Sequence, residues 1–181
     1  MASPVSLRGS LLARFDNAEY RLCRRLNRGV EHTGIRVFFK IASRLGDGVI
    51  WYVLMLALPV FYGAEGFKVA LIMLATSAVG LAVYKFLKRT FVRERPFIRH
   101  AGISLAGAPL DRYSFPSGHT LHAVAFTWQG CAAFPELSVV LVPLALSIAA
   151  SRVVLGLHYP TDVLVGALLG ATSGAIGASF L

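Results

Sequence analysis

From residue 48 onward, apolar runs approaching the ~20 residues of a bilayer crossing recur along the chain, and polar residues gather between them. The pattern predicts five membrane-spanning helices, over about 48–64, 67–87, 117–134, 137–155 and 160–180. Pro59 is a candidate kink in the first. The links "GAEG" and "PEL" are short enough for tight helical hairpins, whereas about 88–116 forms the longest connection. Gly166, Gly170 and Gly174 lie at four-residue spacing in the fifth run, a small-residue face suited to close helix contact within the monomer.

Upstream the period changes. Leu11, Phe15, Ala18, Leu22, Leu26 and Val30 fall at steps of three or four, which predicts an amphipathic helix over 10–31. Arg14, Arg21, Arg24, Arg25 and Arg28 occupy its other faces. Such a helix lies on a membrane surface with its arginines among headgroups, or packs on the protein's own polar face. The next stretch, "GIRVFFKIASRLGDG", carries Arg36, Lys40 and Arg44 and is too charged to span. It is expected to lead at a slant into the first span, with a break at Gly46-Asp47-Gly48. The expectation is therefore an all-α integral membrane bundle. Residues 1–46 form a basic interfacial segment and 47–181 a membrane-embedded domain.

Composition sharpens this. A hydrophobic fraction of 56% and a mean hydropathy of +0.65 are high for a water-soluble domain. The net charge of +9 would suggest nucleic acid on a soluble protein. Here the basic residues sit at the ends of apolar segments, so the expected partners are the bilayer and phosphorylated lipids, not nucleic acid. Cys23 lies in the polar N-terminal part and Cys131 in an apolar run, which argues against a disulfide. No apolar stretch near the N-terminus has the length of a signal peptide.

Five alternating spans bring three polar clusters to one membrane face: "KRTFVRERP" (88–96), "PSGH" (116–119) and "SRVVLGLHYPTD" (151–162). The opposite face holds only Glu65, Lys68 and Glu136 as charges. Lys88, Arg95 and Arg152 are the cations that phosphate chemistry needs, because the transferring group stays negative throughout. Arginine's planar fork suits paired phosphate oxygens. Ser117-Gly118-His119 opens a helix whose free N–H groups and dipole favour an anion, and Gly118 permits close backbone approach. His158 and Asp162 are four apart with Pro160 between them, which suits one face of a first helical turn. A carboxylate on one ring nitrogen fixes the tautomer and frees the other nitrogen to attack. His119, from another helix, can face His158 across a substrate, one acting as nucleophile and the other protonating the leaving oxygen. A metal on His119, His122, His158 and Asp162 is opposed by the three nearby cations.

The pattern K-x6-R-P, P-S-G-H and S-R-x5-H-x3-D resembles the type 2 phosphatidic acid phosphatase superfamily, on Lys88, Arg95 and Pro96, on Pro116 to His119, and on Ser151, Arg152, His158 and Asp162. The likeness runs from about 47 to 180. It implies a membrane lipid phosphatase without metal or other cofactor. His158 would form a phosphohistidine, oriented by Asp162. His119 would protonate the leaving group and then activate water. Lys88, Arg95, Arg152, Ser117 and the Gly118 amide would hold the phosphate. His122 is outside the motifs and is expected either to line the substrate path or, the preferred reading, to make a local hydrogen bond. The alternative is a catalytically silent lipid-phosphate binder or transporter, which would not need Asp162 behind His158. Phosphatidate, phosphatidylglycerol phosphate, polyprenyl mono- or diphosphate and lipid A phosphates all remain open as substrates.

Two arguments about sidedness disagree. Five spans put the N-terminus on the face of the site, and residues 1–45 hold nine Lys or Arg, against Lys68 alone on the other face. The positive-inside rule then makes the site of a bacterial inner-membrane protein cytoplasmic. The resemblance implies the reverse, since bacterial relatives mostly face outward.

Overall fold

The computed structural model describes residues 4–109 and 111–181, with side chains from Ala13 onward. It is all-helical, 79% of residues being in helices and none in strands among the described residues. Seven α-helices follow in order: α1 Pro4–Asn27, α2 Thr33–Leu45, α3 Val49–Thr90, the single-turn α4 Pro96–Arg99, α5 Gly118–Ala133, α6 Ser138–Val154 and α7 Pro160–Ala178. Short 3-10 turns at Arg28–Glu31 and Pro135–Leu137 join α1 to α2 and α5 to α6.

The first two predicted spans are the arms of α3. Gly63, with φ 56° and ψ −133°, breaks the helical path between them. The arms then fold back so closely that a Cβ on Gly66 would lie 2.1 Å from the Leu58 carbonyl oxygen. Among the described residues, three helices are long and apolar enough to cross a membrane: α3, the Pro135–Val154 helix and α7. Their outward faces leave large apolar side chains exposed, among them Leu56, Phe61, Val139, Leu146, Leu164 and Leu168. So wide an apolar surface is stable only against lipid, and the chain is an integral membrane protein. The predicted third span corresponds to α5, which at 16 residues is shorter than those three and has nine buried residues. Surrounded by protein, its length need not match the bilayer.

The core forms where Trp51, Leu58, Val69 and Met73 of α3 meet Phe126 of α5 and Leu141 and Ile148 of α6. α5 runs against the glycine face of α7. A Cβ on Gly166 or Gly170 would stand 2.5 or 2.4 Å from the carbonyl oxygens of Ser117 and Leu121. The small residues at four-residue spacing therefore serve contact within the monomer.

α1 and α2 close over one end of this bundle. The face of α1 turned inward is polar rather than apolar: Glu19, Cys23 and Asn27 are buried, while Phe15, Leu22 and Leu26 stay exposed. The Leu11 side chain lies outside the described residues. Asn27 donates to the carbonyls of Ser104 (2.9 Å) and Val154 (2.8 Å) and accepts from the Ser104 amide. α2 does not run on into the first span. It ends at Gly46, packs Ala42 and Ser43 inward, and is followed by a turn through Gly48 at φ 121°. Both cysteines are free.

Candidate active site

Pro160 opens α7, and Asp162 falls in its first turn, where its Oδ2 accepts the Tyr159 amide at 2.8 Å. This cap bond is the local reason the carboxylate turns back toward His158. His158 Nδ1 stands 3.7 Å from Asp162 Oδ2, an ion-pair separation longer than a hydrogen bond, so Nδ1 has no hydrogen-bond partner. On the other edge of the ring, His158 Nε2 lies 3.3 Å from an Arg95 guanidinium nitrogen. Guanidinium only donates, so Nε2 accepts and the proton sits on Nδ1, facing Asp162. Burial pushes the His158 pKa down to about 3, against the pull of Asp162, and the positive fields of Arg152 and Arg95 push the same way. The imidazole is neutral, with the lone pair of Nε2 on the cationic side.

Arg95 is 1% exposed. It also donates to the carbonyls of Leu157 (2.9 Å) and Asp111 (2.8 Å) and to Asp111 Oδ1 (2.9 Å). Lys88 Nζ reaches Asp111 Oδ2 at 2.5 Å and the Tyr84 hydroxyl. One carboxylate thus bridges two of the three cations assigned to phosphate. Burial disfavours ionised Asp111, but Lys88, Tyr84 and Arg95 hold its pKa below the usual carboxylate range. An antiparallel bridge between Glu94 and Tyr113 keeps its loop beside Arg95.

Arg152, also 1% exposed, is in a different state. Its hydrogen-bond partner is Ser43 of α2, its Nε is unpartnered, and among the described residues it forms no ion pair with a carboxylate. The amides of Leu157 and His158 both donate to its backbone carbonyl, which locks it to the histidine. A buried arginine without a counterion is costly unless an anion completes the site.

Ser117 caps α5, sharing a 2.9 Å hydrogen bond with the Thr120 hydroxyl, and its amide donates to the Asp162 carbonyl. Gly118 is packed against an aromatic ring, since a Cβ there would meet Tyr84 at 2.9 Å. His119 Nε2 bonds Asp47 Oδ1 at 2.7 Å. His122 shares a 3.0 Å hydrogen bond with the Gly118 carbonyl through Nδ1. Together with His119 and Gly118 it lines a cavity of about 290 Å³ that continues along Trp51, Met55, Leu81 and Phe126.

Four residues here escaped the sequence reading as site residues: Asp47, Asp111, Arg93 and Glu19. Arg93 donates to Asp162 Oδ1 at 2.7 Å and to Glu19 Oε2 at 2.5 Å. Arg93 and Asp111 sit inside or beside motif segments, and Asp47 is flanked by two glycines. Those were the available signals. Glu19 offered only an acid among arginines on an amphipathic helix.

The sequence comparisons bear on this arrangement. The PAP2 superfamily pattern matches residues 68–180. The chain belongs to the PAP2 superfamily. It is 34% identical over 148 residues to a decaprenylphosphoryl-5-phosphoribose phosphatase of Mycobacterium tuberculosis, covering 81% of each chain. It is 31% identical over 116 residues to the undecaprenyl-diphosphatase BcrC of Bacillus subtilis, covering 64% of this chain and 60% of that one. The crystal structure of Aquifex aeolicus LpxE superposes with a TM-score of 0.73 at 29% identity, over 88% of this chain and 93% of that one. PAP2 phosphatases act without a metal ion, and this PAP2 chain is a metal-independent phosphatase. The family match begins at Lys68, so Glu19, Ser43 and Asp47 lie outside it.

Proposed function

We propose that the chain removes a terminal phosphate or diphosphate phosphoryl group from a polyprenyl-type membrane lipid at this site. The observation that carries the reading is Arg152: a buried cation with no carboxylate partner among the described residues, locked to a neutral histidine whose Nε2 carries its lone pair on the side of Arg95. His158 Nε2 attacks phosphorus, an N–P bond forms, and the P–O bond to the lipid breaks. His119 gives its proton to the departing oxygen. Water, deprotonated by His119, then breaks the N–P bond and releases phosphate. Lys88, Arg95 and Arg152, with Ser117 and the Gly118 amide, neutralise the equatorial oxygens. Asp162 stabilises the positive charge that His158 gains, and Asp47 orients His119.

The apolar cavity running from His119 along Trp51, Met55 and Leu81 suits a hydrocarbon chain next to the leaving oxygen. The polyprenyl class is supported by the mycobacterial and Bacillus relatives. The test is phosphate release by the purified chain from undecaprenyl diphosphate, undecaprenyl phosphate, phosphatidate and phosphatidylglycerol phosphate. Preference for the polyprenyl substrates is expected, together with loss of turnover in His158→Ala. Turnover should survive EDTA and be blocked by orthovanadate, which adopts a five-coordinate geometry. Near-normal turnover in His158→Ala would remove the mechanism.

A further inference from the structure

We infer that Glu19 and Arg93 are positioning residues for the transfer step, so that the N-terminal helix completes the charge relay behind His158. This rests on the proposed function and extends it to a helix outside the family match.

The geometry is a chain of ion pairs leading from α1 to the nucleophile. Asp162 Oδ2 accepts the Tyr159 amide and stands 3.7 Å from His158 Nδ1, while Oδ1 accepts from Arg93 at 2.7 Å. The same Arg93 nitrogen donates to the Thr161 hydroxyl at 2.8 Å, and its neighbour donates to Glu19. Glu19 Oε1 accepts the Thr161 amide at 3.0 Å and the Thr161 hydroxyl. The Arg93 guanidinium lies over the Tyr159 ring, 3.9 Å from its centroid, and its carbonyl accepts the Ser114 amide. Each oxygen of the Asp162 carboxylate therefore accepts a hydrogen bond, and the Glu19 side chain is only 4% exposed.

The charges explain the arrangement. A fully buried carboxylate opposite a neutral imidazole would take up a proton. Protonated Asp162 could not stabilise the positive His158 that forms when phosphorus is attacked. Arg93 keeps Asp162 ionised, but a lone arginine would cancel its charge. Glu19 returns the Glu19–Arg93–Asp162 group to a net charge of −1, the sign the developing imidazolium requires. Stability alone is a weak reason for such a group, because a buried ion triad is often no better than apolar packing of the same volume. α1 is already anchored by Cys23 and Asn27.

Steady-state kinetics of the full-length chain on undecaprenyl diphosphate test this, with Glu19→Gln made in the wild-type and Asp162→Asn backgrounds. In the wild-type background Glu19→Gln should lower kcat by ~10–100-fold, by analogy with outer partners of metal-ligating side chains, with KM little changed. In the Asp162→Asn background it should cost nothing further. The same loss in both backgrounds, or an unchanged kcat, overturns the inference. Arg93→Lys probes the link from its other end and leaves Glu19 and the packing of α1 intact. A single ammonium nitrogen does not reproduce the planar fork that spans Asp162 and Thr161 with one nitrogen and Glu19 with the other, so a kcat loss is expected and wild-type kcat again overturns the inference. Turnover by wild type with undiminished Glu19→Gln and Arg93→Lys sinks this inference alone. A wild-type chain that releases no phosphate from any lipid phosphate sinks the proposed function as well.

Discussion

Asp111 holds two of the cations that the proposed mechanism assigns to the substrate phosphate. It bonds both Lys88 and Arg95, and an arriving phosphate competes for the same donors. Charge-assisted hydrogen bonds are each worth about 1.5–3 kcal/mol, so removing the competitor should show. Asp111→Ala is expected to tighten inhibition by orthovanadate by about tenfold or more, measured as Ki. Weaker inhibition would mean that Asp111 aligns the cations rather than competing for them. Asp47 makes a different prediction. If it orients His119 as the acid, Asp47→Asn should slow hydrolysis of an alkyl phosphate far more than that of an aryl phosphate with a good leaving group. Equal losses on both would count against acid catalysis by this pair. His158 gives a pH signature. Its folded pKa, about 3, lies below the unfolded value near 6.5. Below pH 6.5 the unfolded chain binds a proton that the folded chain refuses, so stability is full above that pH and declines toward pH 3. Between pH 7.5 and 5 the wild type should lose more Tm than His158→Gln does. Parallel losses would contradict the buried neutral state.

At the scale of elements, the contact between α5 and α7 sets the site. α5 begins with Ser117 and His119, and α7 begins with Asp162. The two helices approach as closely as they do because Gly166, Gly170 and Gly174 offer no side chain. Gly170→Ala puts a Cβ 2.4 Å from the Leu121 carbonyl oxygen, a backbone atom that can yield only if the helices part. Overpacking of this kind costs ~1–3 kcal/mol, and turnover should fall with it. A Cβ on Gly34 in α2 would point into open space, with nothing within 4 Å. Gly34→Ala should leave turnover unchanged while raising Tm slightly, as Ala does in helices. Equal Tm values for the two variants would show that the close contact is not required.

For the whole molecule the open matter is sidedness. α1 and α2 stand at the end of the bundle that carries the site, through Glu19 to Arg93 and Ser43 to Arg152. Their basic residues are therefore on the site's face, and the positive-inside rule favours a cytoplasmic site. The exposed Phe15, Leu22 and Leu26 beside exposed Arg14, Arg21 and Arg25 suit an anionic lipid surface there. Single cysteines at Ser104 and Ala64, with Cys23 and Cys131 replaced, should separate the faces in intact cells treated with an impermeant thiol reagent. Labelling is expected at Ala64 and not at Ser104. The reverse would place the site outside.

Much of this protein was legible along the chain. Lipid burial demands long apolar runs and helix geometry demands a fixed period, and both are local, so the arms of α3 and the positions of α5, α6 and α7 could be read directly. Lys88, Arg95, His119, His158 and Asp162 stood out because fixed spacing near helix ends aims side chains predictably. The break at Gly46-Asp47-Gly48 was visible too, but not that Asp47 would reach His119, 72 positions away. Nor could the sequence pair Glu19 with Arg93, 74 positions apart, or Ser43 with Arg152, 109 apart. The amphipathic character of α1 was legible as well, with Phe15, Leu22 and Leu26 on an exposed stripe, but not that Glu19 and Asn27 would be the side buried against the bundle. Which charges meet depends on how helices dock, and a buried carboxylate is stable only where another element delivers its cation. That pairing is decided by the tertiary structure alone.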